Sequence, residues 1–515
     1  MLRSVRGFTG MVGAGHTLAA AEGLAVLKSG GNAVDAAIAA AGVLAVVAPH
    51  ECGLGSDMFA LVYEAKTGKV HGLNATGRSP AAATLERFRD GIPESGPLAV
   101  SVPGMVGGWQ EAAARFGTRP LGSLLSAAIG YAENGFPVYD VMIENAKEKA
   151  AAIKANPDCS AMFMPGGRML TEGERLRQPA LAASLRAIAR DGPDAFYRGP
   201  IGKSLAAYIQ SVGGILSAED MAAYEPLWQE VVSAGFMGHT VHSMPPNSWG
   251  SATLLQLMAL EREGIAAVKG NEAEAIIRGI RARKLAYKLL AGCVADPAVA
   301  GDHAREVLAR FARGETTAPG KGTESRGSDT SNVIVVDAQG NAVSLLQSVF
   351  VPFGSGVLAG DTGILLNNRM RGFSTTEGDP NCVAPSKRPA QTLTPMLVTQ
   401  GVGKSGGGIS AALNTPGGPG QTGTLAQFLV RTLAWGETAA QAIAAPRWAM
   451  TLKGRFILEE SSPADVRAAV LAQEPEVDVT PWGSVNYGSL IAFFRDGEGW
   501  AGCADSRRNA AVYGY

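Results

Sequence analysis

The residue in this sequence best placed to do chemistry is a threonine where a polar segment meets an apolar one. Residues 313–329 read RGETTAPGKGTESRGSD, a composition typical of a flexible, solvated linker. Thr330 follows at once, and the strand-like run Val333–Asp337 comes next. Cleavage after Asp329 would give Thr330 a free α-amine, whose pKa of about 7.7–8.0 lets it accept the proton of the attacking hydroxyl. The junction suggests amide hydrolysis by an N-terminal nucleophile, although many ordinary interdomain linkers also precede strands.

Motifs for other kinds of catalysis are absent from the sequence. The six histidines all precede residue 304, and none of them has the spacing of a metal site. Residues 202–204 and 403–405 both read GKS but lack the glycine that opens a phosphate-binding loop, and residues 417–420 lack the spacing of a dinucleotide motif. A Ser-His-Asp triad assembled from distant segments stays open as an alternative. We expect no metal and no cofactor.

The predicted elements around the threonine could hold it in place. Two β-rich runs, Val333–Asp337 and Ala342–Val349, flank a Gly/Asn turn and predict a hairpin that begins close to Thr330. A second hairpin is predicted around residues 66–68, and residues 111–310 have mainly helical periodicity. The chain therefore mixes strand-rich and helix-rich regions.

A glycine-rich loop later in the chain is a second candidate for chemistry. Residues 408–413 predict a buried strand, residues 414–421 read NTPGGPGQ, and a helix is predicted from about 424 to 435. A loop between a strand and a helix commonly directs backbone N–H groups at an anion. The apolar run at residues 36–48 is too short to span a bilayer and predicts a buried helix.

The bulk composition is that of an ordinary globular protein with little net charge. Hydrophobic residues make up 46% of the chain and the formal net charge is −1, so no basic field favours nucleic acid or a membrane surface. The five cysteines are scattered without a CxxC pair, which argues against a zinc ribbon or a disulfide framework. The first residues lack the apolar segment of a signal peptide. We expect a cytoplasmic protein that binds a small molecule.

An ordered series of motifs makes the chain resemble the γ-glutamyltranspeptidase family over nearly its whole length. The N-terminal motifs are Gly30–Asp35 (GGNAVD), Pro49–His50, Gly53–Asp57 (GLGSD), Ser101–Gly104 (SVPG) and Gly108–Trp109. The C-terminal motifs are Asp329–Thr330, Val335–Asp337, Gly340–Ser344 (GNAVS), Phe353–Gly356, Gly363–Asn368, Pro385–Pro389 (PSKRP), Thr415–Gly418 (TPGG) and Ala445–Arg447. One such motif would be chance, whereas the ordered series is specific.

The resemblance implies an α+β fold with four layers in the order αββα. It also implies self-cleavage between Asp329 and Thr330. Residues 1–329 would then form a large subunit and residues 330–515 a small one, and the two would stay associated. A homodimer of this processed heterodimer is a further expectation.

The resemblance also assigns catalytic roles to individual residues. Thr330 takes the family's nucleophile position, and Ser348 falls where a second hydroxyl hydrogen-bonds to the nucleophile and orients it. Gly417 and Gly418 match the pair whose backbone N–H groups form the oxyanion hole. Removal of one such donor typically lowers the rate by about 10²–10³.

Departures from the family pattern concern the substrate. Members that bind glutamate carry an arginine followed by a glutamate where this chain has Thr76, with Arg78 two residues later. The family's Asp-Asp pair, whose second acid holds the substrate's α-ammonium, is missing from residues 367–373 (NNRMRGF), and Phe350 replaces the usual asparagine. A site that loses an acid and gains cations should not favour an ammonium-bearing substrate.

Four residues are predicted to contact the substrate: Arg78, Arg369, Arg371 and Thr392. Arg369 or Arg371 could grip a carboxylate with a bidentate fork, although either could also be a solvated surface arginine. The predicted acyl group bears a carboxylate but no α-amine, as in oxamate, whose amidohydrolase branch this chain resembles, or in a glutaryl amide. Two alternatives stay open: a γ-glutamyl hydrolase or transferase acting on glutathione-like compounds, and an uncleaved, inactive relative that serves as a binding protein.

Overall fold

Two seven-stranded antiparallel sheets organise the protein, whose computed structural model describes residues 3–315, 329–401 and 408–515. Most of the predicted linker, residues 313–329, lies outside the described residues. Sheet I contains, in spatial order, Ala511–Gly514, Met11–Ala14, Asp329–Val336, Ala342–Phe350, Asp57–Glu64, Lys69–Ala75 and Leu227–Gln229. Sheet II contains Val5–Gly7, Gly499–Ala504, Ile491–Asp496, Ile409–Asn414, Met396–Gln400, His239–Ser243 and Val232–Phe236.

The alternation of side chains along a central strand shows how the layers are stacked. In the strand Asp329–Val336, Val333 packs into a core shared with the helix Ala33–Val47. Its neighbour Ile334 packs into a second core together with Leu397 and Phe493 of sheet II. Because successive side chains of a strand point to opposite faces, both faces of sheet I are buried. The predicted α+β fold with αββα layers is confirmed.

Helices cover the outer face of each sheet. The longer helices that share the core outside sheet I are Thr17–Lys28, Ala33–Val47, Met105–Phe116, Ser126–Asn134, Pro179–Asp191 and Pro200–Ser211. Those that share the core outside sheet II are Gly250–Arg262, Glu272–Leu290, His303–Ala312 and Gln421–Leu429. Shorter helices include Asp140–Glu148, Ala150–Ala155, Pro157–Phe163, Ala439–Ala444 and Ala464–Gln473, and a small sheet joins Trp448–Met450, Phe456–Glu459 and Asp478–Thr480. Within the described part of the chain, no helix combines the length and apolarity needed to cross a bilayer.

Both predicted hairpins are present. Asp57–Glu64 pairs antiparallel with Lys69–Ala75, and Asp329–Val336 pairs antiparallel with Ala342–Phe350. The predicted apolar helix is Ala33–Val47, and it is buried along its whole length. A capping box between Asn32 and Asp35 satisfies backbone N–H groups at its start, which explains why the helix begins directly after the two glycines.

A tight crossing of two backbones fixes the segment that follows the strand Lys69–Ala75. A Cβ built on Gly77 would lie 1.5 Å from the carbonyl oxygen of Val102. The Gly77 N–H donates to Asp57 Oδ1 at 2.7 Å, and the Val102 N–H donates to the Arg78 carbonyl at 3.0 Å. Only glycine permits this approach, so the position of Arg78 depends on it.

We expect Gly77→Ala to lower the free energy of unfolding by at least about 3 kcal/mol, because neither backbone can retreat without losing these hydrogen bonds. Gly130 is the matched control, since it lies in the helix Ser126–Asn134 with no atom within 4 Å of a Cβ built there. Gly130→Ala should leave the free energy of unfolding unchanged or raise it by up to about 1 kcal/mol. Urea unfolding followed by circular dichroism measures both, and equal midpoints would contradict the assigned role of the crossing.

Candidate active site

Thr330 lies at an irregularity in the pairing of its strand. Asp329 pairs with Phe350 and Ser331 pairs with Gln347, so two residues of the partner strand, Ser348 and Val349, oppose the single residue Thr330. This is the arrangement of a β-bulge, which re-aims side chains and is frequent beside active sites. The register brings the predicted hydroxyl partner, Ser348, next to Thr330, and both residues are 1% exposed.

The chain turns sharply just after Ser348. The Ser348 hydroxyl accepts a hydrogen bond from the N–H of Phe350 at 2.8 Å. Phe350 has φ +90°, a left-handed conformation that costs a non-glycine residue about 1–3 kcal/mol. Its ring lies 4.5 Å from the guanidinium carbon of Arg369, a cation–π contact. Phe350 therefore connects Ser348 to the arginine that sequence reasoning placed in the substrate site.

A buried ion pair lies on the other side of Ser348. Ser348 pairs in register with Asp57, and Arg369 Nε is 2.9 Å from Asp57 Oδ2. Asp57 also accepts hydrogen bonds from the Gly77 N–H and from Gln391 Nε2. Burial raises the pKa of Asp57 against the opposing effect of Arg369, and burial lowers the pKa of Arg369 to about 10. Both pKa shifts result from the cost of removing the charged groups of an ion pair from water.

Arg369 is fully buried, and its Nη2 has no hydrogen-bond partner among the described residues. Arg371, two residues later, behaves differently: its Nη2 lies 3.1 Å from Glu94 Oε1, and the Glu94 side chain is 84% exposed. The two arginines of the same short turn thus separate into an interior residue and a surface residue. Only Arg369 contacts the residues around Ser348.

Arg78 and Thr392 are the chain neighbours of two residues that hydrogen-bond to Asp57. Arg78 is half-buried and follows Gly77, and its Nε is buried without a hydrogen-bond partner in the described part of the chain. Thr392 is buried and follows Gln391, and its carbonyl accepts from the Thr394 hydroxyl at 3.0 Å. Arg369 thus contacts Asp57 directly, whereas Arg78 and Thr392 each adjoin a residue that does.

An asparagine pair joins the two sheets beside Thr330. Asn332, two residues after Thr330, donates through Nδ2 to Asn414 Oδ1 at 3.1 Å and to the Ser489 carbonyl at 3.2 Å. Asn414 in turn donates to the Val333 carbonyl at 3.1 Å. Asn414 ends its strand immediately before the glycine-rich loop, so this pair places the loop close to the start of the Thr330 strand.

The glycine-rich loop presents two free backbone amides. Gly417 and Gly418 have φ of +115° and +52°, conformations that favour glycine. Both residues are buried, and neither N–H donates a hydrogen bond to any residue within the described ranges. Buried N–H groups are rarely left without an acceptor in a folded protein. The pair is therefore suited to bind an oxygen that carries negative charge.

Sequence reasoning missed three residues that build this site. Asp57 and Asn414 stand inside sequence stretches quoted above, and Asn332 lies between Thr330 and the run Val333–Asp337, but no role was predicted for them. Their signal was a polar side chain within or beside a strand of otherwise buried residues. Such a side chain needs a partner, and the partner comes from a distant part of the chain. Among residues 3–315, 329–401 and 408–515, no cluster of three or more His, Cys, Asp or Glu residues could hold a metal ion.

Comparison with known proteins identifies the family of this chain. The family model described as gamma-glutamyltranspeptidase matches residues 19–515. The glutathione hydrolase-like YwrD proenzyme of Bacillus subtilis (strain 168) is 36% identical over 87% of this chain and 86% of its own length. The oxamate amidohydrolase proenzyme of Klebsiella pneumoniae is 33% identical over 98% of both chains.

A solved structure supports the same relationship. The crystal structure of cephalosporin acylase from Bacillus halodurans superposes with a TM-score of 0.88 at 30% identity, covering 99% of this chain and 97% of that one. Fold and sequence similarity thus extend over nearly the whole molecule. The chain is an enzyme of the gamma-glutamyltranspeptidase family.

Proposed function

We propose that the protein is a self-cleaving amide hydrolase in which Thr330, freed at its α-amine, is the nucleophile. The observation that carries the proposal is the convergence of three groups at one end of the two sheets. Thr330 faces Ser348 across a bulge, and the Asn332–Asn414 pair brings the free amides of Gly417 and Gly418 to the same end.

The first reaction makes the nucleophile. The Thr330 hydroxyl attacks the carbonyl carbon of residue 329, the peptide C–N bond breaks, and the nitrogen takes up the proton as a free α-amine. Water then hydrolyses the ester that joins residue 329 to Thr330. The YwrD relative and the oxamate amidohydrolase are both named proenzymes, which supports this step.

Catalysis then repeats the same chemistry on a substrate amide. The α-amine of Thr330 takes the hydroxyl proton as the oxygen attacks, and the Ser348 hydroxyl orients the attacking oxygen. The N–H groups of Gly417 and Gly418 bind the oxyanion of the tetrahedral intermediate. The intermediate collapses to an acyl-enzyme as the α-ammonium gives its proton to the leaving nitrogen, which departs as a neutral amine. Water then attacks the ester, the α-amine takes a proton from that water, and it passes this proton to the Thr330 oxygen as the ester bond breaks.

The two subunits stay together because they share both sheets. In sheet I, two strands lie between Met11–Ala14 and Asp57–Glu64 of the large subunit. They are Asp329–Val336, which belongs to the small subunit from Thr330 onward, and Ala342–Phe350. In sheet II, Met396–Gln400 pairs with His239–Ser243 of the large subunit. Separation would break several ladders of backbone hydrogen bonds and expose both cores.

We propose a carboxylate-bearing acyl group without an α-amine as the substrate. An ammonium would need an acceptor, but Asp57 is already engaged by Arg369, Gln391 and the Gly77 N–H. The donors that remain belong to cations: Arg78 Nε and Arg369 Nη2 are buried without a hydrogen-bond partner within the described ranges. Arg78 binds the carboxylate in this proposal, with Arg369 and Thr392 behind it and Arg371 at the rim.

Oxamate and glutaryl amides both have the required chemistry. The oxamate amidohydrolase of Klebsiella pneumoniae is named for the first of these substrates. The name of the glutathione hydrolase-like relative keeps γ-glutamyl compounds as the second candidate. Release of ammonia from oxamate without turnover of glutathione would favour the first, and the reverse result would favour the second.

Intact mass spectrometry of wild type and Thr330→Ala tests the nucleophile. We expect wild type to split into two associated pieces, the smaller beginning at Thr330, and the variant to remain a single 53.1 kDa chain, because alanine has no hydroxyl to attack the carbonyl of residue 329. Ser331→Ala is the matched control, since its hydroxyl has no hydrogen-bond partner in the described part of the chain, and it should cleave. A folded wild type that stays whole would instead support the uncleaved binding protein.

Steady-state kinetics of Arg78→Gln tests the carboxylate site. We expect KM for the carboxylate-bearing amide to rise about 10- to 100-fold, because the charge-assisted hydrogen bonds to the carboxylate are lost. Arg78→Lys should lie between the variant and wild type, since a lysine keeps the charge but not the fork. Arg87→Gln, at an exposed arginine of the same region, is the control and should stay within about twofold of wild type. An unchanged KM in Arg78→Gln would place the carboxylate elsewhere.

A further inference from the structure

A short segment of the small subunit, residues 484–488, packs directly against the loop that carries the two free amides. A Cβ built on Gly417 would lie 3.1 Å from Gly488 Cα and 3.3 Å from the Asn486 carbonyl oxygen. A Cβ built on Gly488 would lie 2.3 Å from Thr415 Oγ1. The two backbones therefore touch with no side chain between them, so a shift of residues 484–488 must displace Gly417. We call residues 484–488 the backing segment.

Two buried arginines hold carbonyl groups of the backing segment. Arg447 Nη1 donates to the Tyr487 carbonyl at 3.1 Å, and Arg508 Nη2 donates to the Val485 carbonyl at 3.0 Å. Arg447 also forms an ion pair with Asp505 at 2.6 Å, entirely within the small subunit. Arg508 is different, because its charge partner comes from the large subunit.

That partner is Glu51, which lies directly beside the nucleophile region. Arg508 Nη1 donates to Glu51 Oε1 at 3.0 Å, and both side chains are more than nine-tenths buried. The Glu51 carbonyl accepts from the N–H of Val349, one of the two residues opposite Thr330. The backbone of Glu51 thus contacts the strand that carries Ser348. Its carboxylate contacts Arg508, which in turn contacts the backing segment.

The histidine next to this carboxylate, His50, is neutral and does not act as its counter-ion. His50 Nε2 lies 3.8 Å from Glu51 Oε1, but burial, with a smaller contribution from Arg508 itself, lowers the pKa of His50 to about 3. A neutral imidazole cannot balance the charge of Glu51 at neutral pH. Arg508 is therefore a charged partner of this carboxylate, whereas His50 is not.

We infer that Glu51 and Arg508 form a positioning pair that fixes the oxyanion-binding amides relative to Thr330, across the boundary between the two subunits. The pair acts through the backing segment and Gly417 and does not touch the substrate. The inference rests on the proposed function and adds a role for two residues to which no function was assigned above. Oxyanion donors stabilise a transition state only when they are held within a few tenths of an ångström, so a loosened backing segment should slow the chemical step.

The test compares Glu51→Gln, Arg508→Gln and Arg508→Lys with wild type on the amide that wild type hydrolyses best. Arg455→Gln is the matched control, because Arg455 forms an equally short pair with Asp478 on the surface, at 2.8 Å. Mass spectrometry gives the cleaved fraction, and kcat is calculated per cleaved molecule. Slow self-cleavage or partial folding then does not count as slow catalysis.

We expect kcat to fall about 10- to 100-fold in Glu51→Gln and Arg508→Gln, with KM within about twofold of wild type, because the oxyanion is bound in the transition state and not in the ground state. Arg508→Lys should recover part of the loss, since a lysine can reach Glu51 or Val485 but lacks the fork that reaches both. The double variant Glu51→Gln/Arg508→Gln should be no slower than Arg508→Gln alone, because the two residues act as one unit.

Three results would overturn the inference. A kcat per cleaved molecule within twofold of wild type in Glu51→Gln would show that the pair does not position the amides. A rise of KM alone would assign it to substrate binding. Additive losses in the double variant would mean that the residues act independently. If Arg508→Gln does not fold, the milder Glu51→Gln and Arg508→Lys decide. An inactive wild type would overturn the proposed function and this inference with it, whereas an active wild type with unaffected variants overturns the inference alone.

Discussion

The antiparallel pairing of Asp329–Val336 with Ala342–Phe350 is the constraint on which the rest of the site depends. Its bulge sets two residues of one strand against Thr330, and one of these two is Ser348. Because side chains alternate along a strand, a register shifted by one residue would turn Val333 and Ile334 out of the cores that they occupy on opposite faces. The cores therefore fix the register, and the register fixes the neighbours of Thr330.

In the proposed function, buried charge around this hairpin decides which substrates the site accepts. Asp57 and Arg369 are both fully buried, and burial moves their pKa values in the directions that disfavour the charged forms. Removing one member of such a pair typically costs about 3–5 kcal/mol, because the other is left as an uncompensated charge. Asp57 therefore stays paired with Arg369 and is not available to bind the ammonium group of a substrate. The same pairing leaves Arg369 Nη2 without a hydrogen-bond partner among the described residues.

Much of the fold could be predicted from the sequence, because its signals are local. The two hairpins, the helix Ala33–Val47 and the strand before the glycine loop all carry their own periodicity or turn chemistry. The burial of Arg369 and the surface position of Arg371 could not be predicted in the same way. They stand two residues apart in similar surroundings of sequence, and their partners, Asp57 and Glu94, come from distant segments. Only the tertiary pairing decides which arginine is interior.

The interleaving of the two predicted subunits explains how a chain could be cut beside its active site without losing it. Each sheet contains strands from both sides of Thr330, and Arg508 reaches Glu51 across the same boundary. The backbone ladders and cores hold the cut ends at the positions that the continuous chain gave them, so cleavage frees an α-amine without dispersing the groups around it. A nucleophile at the end of a separate domain would not have this support. The constraint that positions Thr330 before cleavage is therefore the same one that would position it for catalysis afterwards.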